Sequence, residues 1–302
     1  MNFNTPILFI IFNRPDTTMR VFNEIRKIKP RKLYVVSDGP RENRPGEKEA
    51  CIDAKKIIES VDWECEVFKN YSEINLGCKK RVSSGIDWFF ENEEEGIILE
   101  DDCLPNQSFF NFCEEMLDKY RDNEKIGMIS GNNFQFGKIK NEYSYYFSRY
   151  AHIWGWATWR RVWNKYDVDI SSWPKIKETS GLKKVFNNYR DNLYWSSIFN
   201  DVYNNKIDTW DYQWSYTLFT NNYLSVMPSV NLVSNIGFGE NGSTHTKRIS
   251  KFSNIPTVEI PFPLKEPAEI VRDSISDDIV QKENFPFFRF FIRKFLKLLK
   301  II

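Results

Sequence analysis

The chain has 302 residues, enough to bury a large core in one large domain or two closely fused ones. Its composition is 41% hydrophobic, 16% aromatic and 27% charged, which excludes a disordered chain, and its formal net charge of +1 excludes a protein that binds polyanions with its whole surface. The five cysteines form no CxxC pair and no histidine stands near them. We therefore expect reduced thiols in a cytoplasmic protein rather than a zinc site or a disulfide framework.

The first 130 residues alternate between strand and helix patterns. The apolar run at 6–12 (PILFIIF) predicts a strand covered on both faces, and the next segment, apolar on one helical face and stopped by Pro30, predicts a helix. Similar patterns predict further strands at 32–37, 64–69, 96–99 and 126–130, with helices between them. This alternation predicts an α/β fold, a mostly parallel sheet with helices on both faces.

The second half of the chain differs from the first in composition and in its pattern of apolar residues. It begins at about residue 143 with a segment dense in aromatic residues. Helices are predicted at 193–204 and 209–221, and short strands at 223–227 and 230–234. No repeat or low-complexity linker separates the halves, so we expect the second half to pack continuously onto the first.

The C-terminal segment 285–302 contains five basic residues and no acidic residue. Four basic residues share one side of a helical wheel, namely Arg289, Arg293, Lys297 and Lys300. Six apolar residues share the other side, namely Phe288, Phe291, Phe295, Leu298, Leu299 and Ile302. A helix docked on the core is one interpretation. The pattern favours an amphipathic helix on an anionic membrane surface, which predicts a peripheral protein on the inner face of the cell membrane.

Polar residues follow three of the predicted strands. Asn13 and Arg14 follow the first, Asp38 follows the second, and the acidic triplet 100–102 (EDD) follows the fourth. In parallel sheets ligands bind beyond the carboxyl ends of the strands. The triplet directly ends an apolar strand, so its carboxylates need a positive or polar partner. Three alternatives are open: a helix cap or solvated turn, a Mg²⁺ or Mn²⁺ site that bridges to phosphates, and a carboxylate pair for acid–base hydrolysis. The metal–nucleotide site is favoured.

Several known motifs are missing from the chain. It contains no GxxxxGK[ST] loop, and Asn13-Arg14-Pro15 stands where a dinucleotide-binding fold would turn through glycines. It contains no GxSxG motif, and it has only two histidines, His152 and His245, that could serve as the base of a serine triad. These absences argue against P-loop, dinucleotide-binding and serine hydrolase classes.

The order of the remaining motifs resembles that of the GT-A glycosyltransferases. FNRPDT follows the first strand, SDG the second and LEDD the fourth, and a WGW turn and a WD pair come later. The resemblance covers roughly residues 6–245 and is strongest to the branch of N-acetylglucosaminyltransferase I and bacterial family-2-like transferases. It implies a GT-A (Rossmann-like) domain over 1–284, with a nucleotide-binding half (1–130) and an acceptor half (131–284), followed by the tail 285–302.

The resemblance also implies roles for single residues. Asn13 and Arg14 would bind the donor, with Arg14 on its diphosphate, and Asp38 would accept a hydrogen bond from the nucleobase, typically uracil. Within the triplet, Glu100 and Asp101 would bind ribose and donor sugar, and Asp102 would hold the metal. Asp211 would be the catalytic base, and Asp208 is expected to cap the helix that follows.

Three further sites have two interpretations each. Trp154, Gly155 and Trp156 form either a core cluster or a wall of the sugar pocket, because indole faces stack on pyranose rings. His245 is either an exposed or structural histidine, or a ligand of metal or diphosphate, as in related transferases. The basic run at 79–81 favours a solvated patch, but Arg81 could reach the donor phosphates.

Together these features predict a Mn²⁺- or Mg²⁺-dependent, inverting glycosyltransferase. It would use a nucleotide diphosphate sugar, with UDP expected, and a hydroxyl of a lipid-linked or other surface-glycan precursor, and no nucleic acid. A sugar-phosphate nucleotidyltransferase and a non-catalytic glycan-binding protein are the alternatives.

Overall fold

The computed structural model describes residues 3–179, 181–239 and 250–298. In its first part, strands and helices alternate as the apolar periodicity predicts. The elements are β1 (Ile7–Ile11), α1 (Pro15–Ile28), β2 (Lys32–Ser37), α2 (Glu47–Ile58), β3 (Glu66–Tyr71), α3 (Gly77–Asn92) and β4 (Glu95–Glu100).

The rest of the chain adds shorter strands and most of the helices. The elements are β5 (Cys103–Pro105), α4 (Gln107–Tyr120), β6 (Ile126–Ser130), β7 (Tyr145–Ser148), β8 (Trp156–Trp159), α5 (Arg160–Trp163), α6 (Trp173–Glu178), a 3₁₀ helix (Gly181–Lys184), α7 (Tyr189–Tyr203), α8 (Asp211–Thr220), β9 (Leu224–Pro228), β10 (Val233–Asn235), α9 (Ser274–Asn284) and α10 (Phe287–Leu298).

Eight strands form one mixed sheet in the order β3-β2-β1-β4-β8-β6-β9-β7. Strands β3, β2, β1 and β4 are mutually parallel, and β6 is parallel to β9. Strand β8 is antiparallel to both β4 and β6, and β7 is antiparallel to β9. The predicted α/β fold with a mostly parallel sheet is confirmed. The carboxyl ends of β1, β2 and β4 therefore lie at one edge of the sheet.

Strands β7 and β8 lie in the aromatic-rich segment, for which the sequence predicted no strand. Strand β8 occupies the middle of the sheet, and Trp156 at its start is fully buried. Its ring centroid lies 5.7 Å from that of Trp210 and 5.2 Å from that of Trp214. Trp156 thus belongs to the core, and its predicted role as a wall of the sugar pocket is wrong because no face of the ring is left for a ligand.

Gly155 has a packing role. Its φ of +72° is in the left-handed region that favours glycine, and a Cβ atom there would lie 2.7 Å from Cγ2 of Val233. The missing side chain therefore lets the start of β8 approach β10 closely. This contact is sufficient to account for the glycine, and the predicted place of Gly155 in the sugar pocket stays a prediction.

The C-terminal helix α10 docks on a second hydrophobic cluster, which α7 and α8 dominate. Phe287 and Phe290 pack against this cluster, and the Phe290 ring centroid lies 4.7 Å from that of Tyr194 on α7. Phe288, Ile292 and Phe295 are 62%, 57% and 60% exposed. The helix is therefore docked along one side and apolar along another. Within the described residues, no helix is both long and apolar enough to cross a membrane.

We expect Gly155→Ala to lower the free energy of unfolding by about 2–5 kcal/mol, because about 1–2 kcal/mol of left-handed backbone strain adds to about 1–3 kcal/mol of overpacking against Val233. Gly137→Ala is the matched control, since Gly137 has φ +71° and no described atom within 4 Å of the added Cβ. It should cost only the backbone strain. Urea unfolding followed by tryptophan fluorescence measures both, and equal losses would show that the Val233 contact contributes nothing.

Candidate active site

Arg14 is the positive group that meets the acidic triplet. It immediately precedes α1, and its guanidinium forms ion pairs with both Asp101 and Asp102; Nη1 lies 2.7 Å from Oδ2 of Asp102. The second oxygen of Asp101 accepts a hydrogen bond from the Phe12 N–H at 3.1 Å. Both oxygens of Asp101 thus hold the loop after β1, so this carboxylate positions Arg14, and its predicted role in binding ribose or donor sugar is corrected.

Burial and neighbouring charges shift the pKa values of the triplet. Burial, together with the charges of Asp102 and Asp101, raises the pKa of Glu100 to about 8. Burial also raises the pKa of Asp101, although Arg14 opposes this. Burial alone would lower the pKa of Arg14, but the two aspartates raise it above its ordinary value. Glu100 is therefore easier to protonate than an exposed glutamate.

The carboxylate of Asp38 organises the loop that leads into α3. It accepts hydrogen bonds from the N–H groups of Gly39 (2.9 Å), Leu76 (2.9 Å) and Gly77 (3.0 Å), and from the side-chain amide of Asn75 (3.1 Å). A carboxylate has about four acceptor positions, so these donors use its capacity. The prediction that Asp38 accepts a hydrogen bond from the nucleobase is corrected, because its carboxylate instead fixes the loop before α3.

Asn13 belongs to a polar cluster that the sequence did not reveal. Its side-chain amide donates to Oε2 of Glu47 at 2.9 Å. Oε1 of Glu47 accepts from the Arg41 N–H at 2.8 Å and from its Nε at 2.9 Å. The only sequence signal for Glu47 is an acidic residue in the first turn of α2, where acidic residues are common. Asn13 thus lies at the site edge of β1 with its amide engaged by a buried carboxylate.

Arg81 is a structural residue. Its Nε donates to the Ser37 carbonyl oxygen at 3.2 Å, and its Nη2 donates to the side-chain and main-chain oxygens of Asn70, the former at 3.0 Å. Burial lowers the pKa of Arg81, an effect that Asp38 opposes. Because the guanidinium joins the ends of β2 and β3, the prediction that Arg81 binds donor phosphates is wrong.

Asp211 stands at the first position of α8, where a negative charge is favourable. Its Oδ1 accepts hydrogen bonds from the Thr209 hydroxyl and from the Tyr212 N–H, the latter at 2.9 Å. Both described hydrogen bonds go to Oδ1, so Oδ2 is the oxygen available for a ligand. The residue is half-buried, and its charge contributes to the raised pKa of Glu100.

Cys78, the second residue of α3, is exposed and lies near several carboxylates. Burial raises the pKa of its thiol, and the charges of Glu100, Asp211, Asp208 and Asp38 raise it further. We call Cys78 and these four carboxylates the acidic cluster. Sequence patterns did not indicate Cys78.

Asp208 is a member of the acidic cluster and does not cap a helix. Helix α8 begins at Asp211, and the residue before it, Trp210, provides no side-chain cap. The Oδ2 atom of Asp208 would lie 3.7 Å from a Cβ on Gly77, which has φ +80°. The expectation that Asp208 caps the helix is therefore wrong.

Gly237 closes the other side of the ion pair. A side chain at this position would collide with the carboxylate of Asp102 and with Nη1 of Arg14. The next residue, Phe238, has its ring centroid 5.7 Å from that of Trp154, which is half-buried. Trp154 therefore contacts the segment that packs on the ion pair, and its predicted contact with a sugar stays a prediction. His245 lies outside the described residues.

The fit of a divalent cation depends on Asp102. The described part of the chain contains no cluster of three metal-ligating side chains, and Asp102 shares Oδ2 with Arg14. Mg²⁺ and Mn²⁺ are commonly held by one or two carboxylates together with substrate phosphates and water. Asp102 and a bound diphosphate would together meet that requirement, so the residues fit a cation that arrives with a phosphorylated ligand.

No family model and no curated protein matches the chain. Among solved structures, HddC from Yersinia pseudotuberculosis is 6% identical over 54% of this chain and 80% of its own, with a TM-score of 0.34. The inositol-1-phosphate CTP transferase from T. maritima is 9% identical over 54% and 74%, with a TM-score of 0.30. A UDP-glucose pyrophosphorylase complexed with UDP-glucose is 9% identical over 54% and 78%, with a TM-score of 0.31. At such low scores these likenesses carry no argument about activity, and the fold assignment rests on the strand order.

Proposed function

We propose that the protein is a metal-dependent, inverting glycosyltransferase that transfers a sugar from a UDP-sugar to a hydroxyl of a surface-glycan precursor. The observation that carries the proposal is the pairing of Arg14 with Asp101 and Asp102 at the end of β4, where Glu100 of the same triplet also senses the charge of Asp211. The positively charged Arg14 could bind a diphosphate, and the carboxylate of Asp211 could accept a proton.

The charge balance of the site supports a cation that arrives with the donor. Asp101 and Asp102 pair with Arg14, and among the described residues no other cation forms an ion pair with the triplet. Asp208 and Asp211 of the acidic cluster add further negative charge nearby. A diphosphate would add further negative charge, which costs energy unless a cation offsets it. Asp102 would hold Mn²⁺ or Mg²⁺ together with diphosphate oxygens, and His245 is a proposed second ligand. The bound cation would stabilise negative charge on the leaving diphosphate.

The protein's own residues account for the remaining steps. Arg14 would turn from the aspartates toward the diphosphate and offset the charge that develops as the sugar–phosphate bond breaks. Glu100, whose pKa is raised, would in its protonated form donate a hydrogen bond to a hydroxyl of the donor sugar. Asp211 would take the proton of the acceptor hydroxyl through Oδ2 while Thr209 holds Oδ1.

These roles give a balanced reaction. The acceptor oxygen forms a bond to the anomeric carbon, and the bond from that carbon to the diphosphate oxygen breaks with its electron pair on UDP. The acceptor proton passes to Asp211. Because the nucleophile enters opposite the leaving group in a single displacement, the anomeric configuration inverts.

A sugar-phosphate nucleotidyltransferase is the second candidate, and it is the kind of activity named for the CTP transferase and the pyrophosphorylase. Such enzymes hold a triphosphate with a glycine-rich loop after the first strand, through N–H groups. Here that position is Asn13-Arg14-Pro15, and Pro15 has no N–H to donate. The third candidate is a non-catalytic glycan-binding protein. That function would not require the acidic cluster or the ion pairs of Arg14.

Two parallel reactions separate these candidates. In one, the protein is incubated with UDP-sugars, Mn²⁺ and a membrane glycolipid extract, and mass spectrometry detects glycosylated lipid and UDP. In the other, it receives UTP and hexose 1-phosphates, and pyrophosphate release is measured. We expect products only in the first reaction. Pyrophosphate and a UDP-sugar in the second would establish the nucleotidyltransferase, and inactivity in both with no nucleotide binding would favour the glycan-binding protein.

We expect Asp211→Asn to lower sugar transfer by roughly a hundredfold or more, the usual scale for a positioned base, because asparagine cannot take the acceptor proton. UDP binding should be unchanged. Asp208→Asn is the control. It removes another carboxylate of the acidic cluster, keeps the hydrogen bond from Thr209 to Asp211, and should reduce transfer much less. Initial rates at saturating donor measure this, and a near wild-type rate for Asp211→Asn would place the base elsewhere.

We expect Asp102→Asn to abolish the Mn²⁺ dependence of UDP binding, because the amide lacks the charge that holds a hard cation. Asp101→Asn is a matched control, since it also removes one ion pair of Arg14 but leaves the proposed ligand in place. Thermal shifts with UDP, with and without Mn²⁺, measure the difference. An unchanged Mn²⁺-dependent shift in Asp102→Asn would remove Asp102 from the metal site.

We further propose that α10 attaches the protein to an anionic bilayer at the inner face of the cell membrane, beside lipid-linked acceptors. Phe287 and Phe290 secure the helix to the body, while Phe288, Ile292 and Phe295, spaced four and three residues apart, form an exposed apolar stripe. The five basic residues of 285–302 supply attraction to anionic lipids. A helix with both features binds at the membrane surface.

The triple substitution Phe288→Ser, Ile292→Ser and Phe295→Ser should abolish co-flotation with phosphatidylglycerol vesicles and leave the fold and UDP binding intact, because the docked side is untouched. Binding of the unaltered protein should weaken with salt, since each Lys or Arg contributes about 1 kcal/mol of screened attraction. Ile275→Ser, at an exposed residue outside α10, is the control. Flotation of the triple variant at the unaltered level would refute the membrane assignment.

A further inference from the structure

A group of aromatic rings that begins one residue after Gly237 has no part in the steps above. Phe134 is buried; three partly exposed rings contact it, and a fourth, Phe238, contacts one of those three. They come from separate loops of the second half of the chain. We call the group the aromatic platform, and its members are Phe134, Phe136, Trp154, Phe238 and Phe252.

The rings of the platform are in mutual contact. The centroid of Phe134 lies 5.3 Å from those of Trp154 and Phe252, at interplanar angles of 72° and 71°. Phe136 stacks on Phe134 with 6.4 Å between centroids and an angle of 18°. Edge-to-face contacts of this kind hold rings in fixed orientations. The partly exposed rings of Phe136 and Phe252 are therefore held against the buried ring of Phe134.

The platform begins beside the proposed donor site. Phe238 contacts Trp154, with 5.7 Å between centroids, and directly follows Gly237. The backbone of Gly237 packs so closely on Asp102 and Arg14 that a side chain there would collide with both. The platform is therefore joined to the ion pair through two consecutive residues, Gly237 and Phe238.

Charged groups contact the rings. The Lys251 ammonium lies over the rings of Phe136 and Phe252, 4.9 Å and 5.1 Å from their centroids. Lys251 and Lys138 both form ion pairs with Glu283 of α9. Hydrogen bonds from these two lysines lower the pKa of Glu283 to about 2, so it is ionised at neutral pH. Hydrogen-bond donors and acceptors thus stand next to apolar ring faces.

This combination fits a pyranose. One side of a sugar ring presents C–H groups that stack on aromatic faces, while its edge presents hydroxyls for charged side chains. A purely apolar ligand would not use the charged border, and an anion would meet Glu283 as well as the lysines. We infer that the aromatic platform binds a sugar ring of the acceptor glycan; this assignment rests on the proposed glycosyltransferase function.

Saturation-transfer NMR with methyl glycosides of glucose, galactose and N-acetylglucosamine tests the inference on the full-length protein. Sorbitol is the matched probe, because it has similar hydroxyls but no ring face to stack. We expect saturation of at least one methyl glycoside and little of sorbitol. Phe252→Ala should weaken glycoside binding about three- to tenfold, the scale of a lost aromatic contact. Tyr189→Ala, at an exposed ring elsewhere, should leave it unchanged.

Equal saturation of sorbitol and glycosides, no glycoside saturation, or full binding by Phe252→Ala would each overturn the platform assignment. Thermal shifts of the same samples with UDP and Mn²⁺ keep the two proposals apart. Loss of glycoside binding in Phe252→Ala with an unchanged UDP shift supports the platform. Glycoside binding without any UDP shift in the unaltered protein would count against the glycosyltransferase and not against the sugar site.

Discussion

The ion pair of Arg14 with Asp101 and Asp102 is the interaction on which the site depends. Unpaired carboxylates at the end of a buried strand would cost several kcal/mol each. The guanidinium offsets that cost, and in doing so it connects the loop after β1 to the end of β4. Gly237 then brings a third segment against the pair, since its lack of a side chain is what permits the contact.

The same charges shift the pKa values of the triplet. Burial and the charges of Asp102 and Asp101 raise the pKa of Glu100 to about 8. Burial also raises the pKa of Asp101, and Arg14 opposes that shift. The guanidinium therefore favours the ionised form of Asp101, whereas Glu100 has its pKa raised by the two aspartates that Arg14 pairs with.

The aromatic residues divide into buried and exposed sets with different consequences. Trp156 and Trp214 fill the core because β8 lies in the middle of the sheet. Phe136 and Phe252 stay partly exposed, and they contact each other and the buried ring of Phe134. Phe288, like its neighbours on the outer side of α10, points away from the second cluster. Residues of one chemical type therefore support the fold, the proposed sugar contact and the proposed membrane contact, according to what surrounds them.

The sequence by itself determined the local elements and the edge of the sheet that carries the site. Apolar periodicity predicted β2 and β6 at their observed limits, and placed Arg14 and the acidic triplet after strands, because these patterns depend on residues close in the chain. Only the tertiary structure decided that Asp38 and Arg81 are used internally and that Trp156 is buried. The partner of a polar side chain and the burial of a ring depend on segments far away in sequence, which no local pattern specifies.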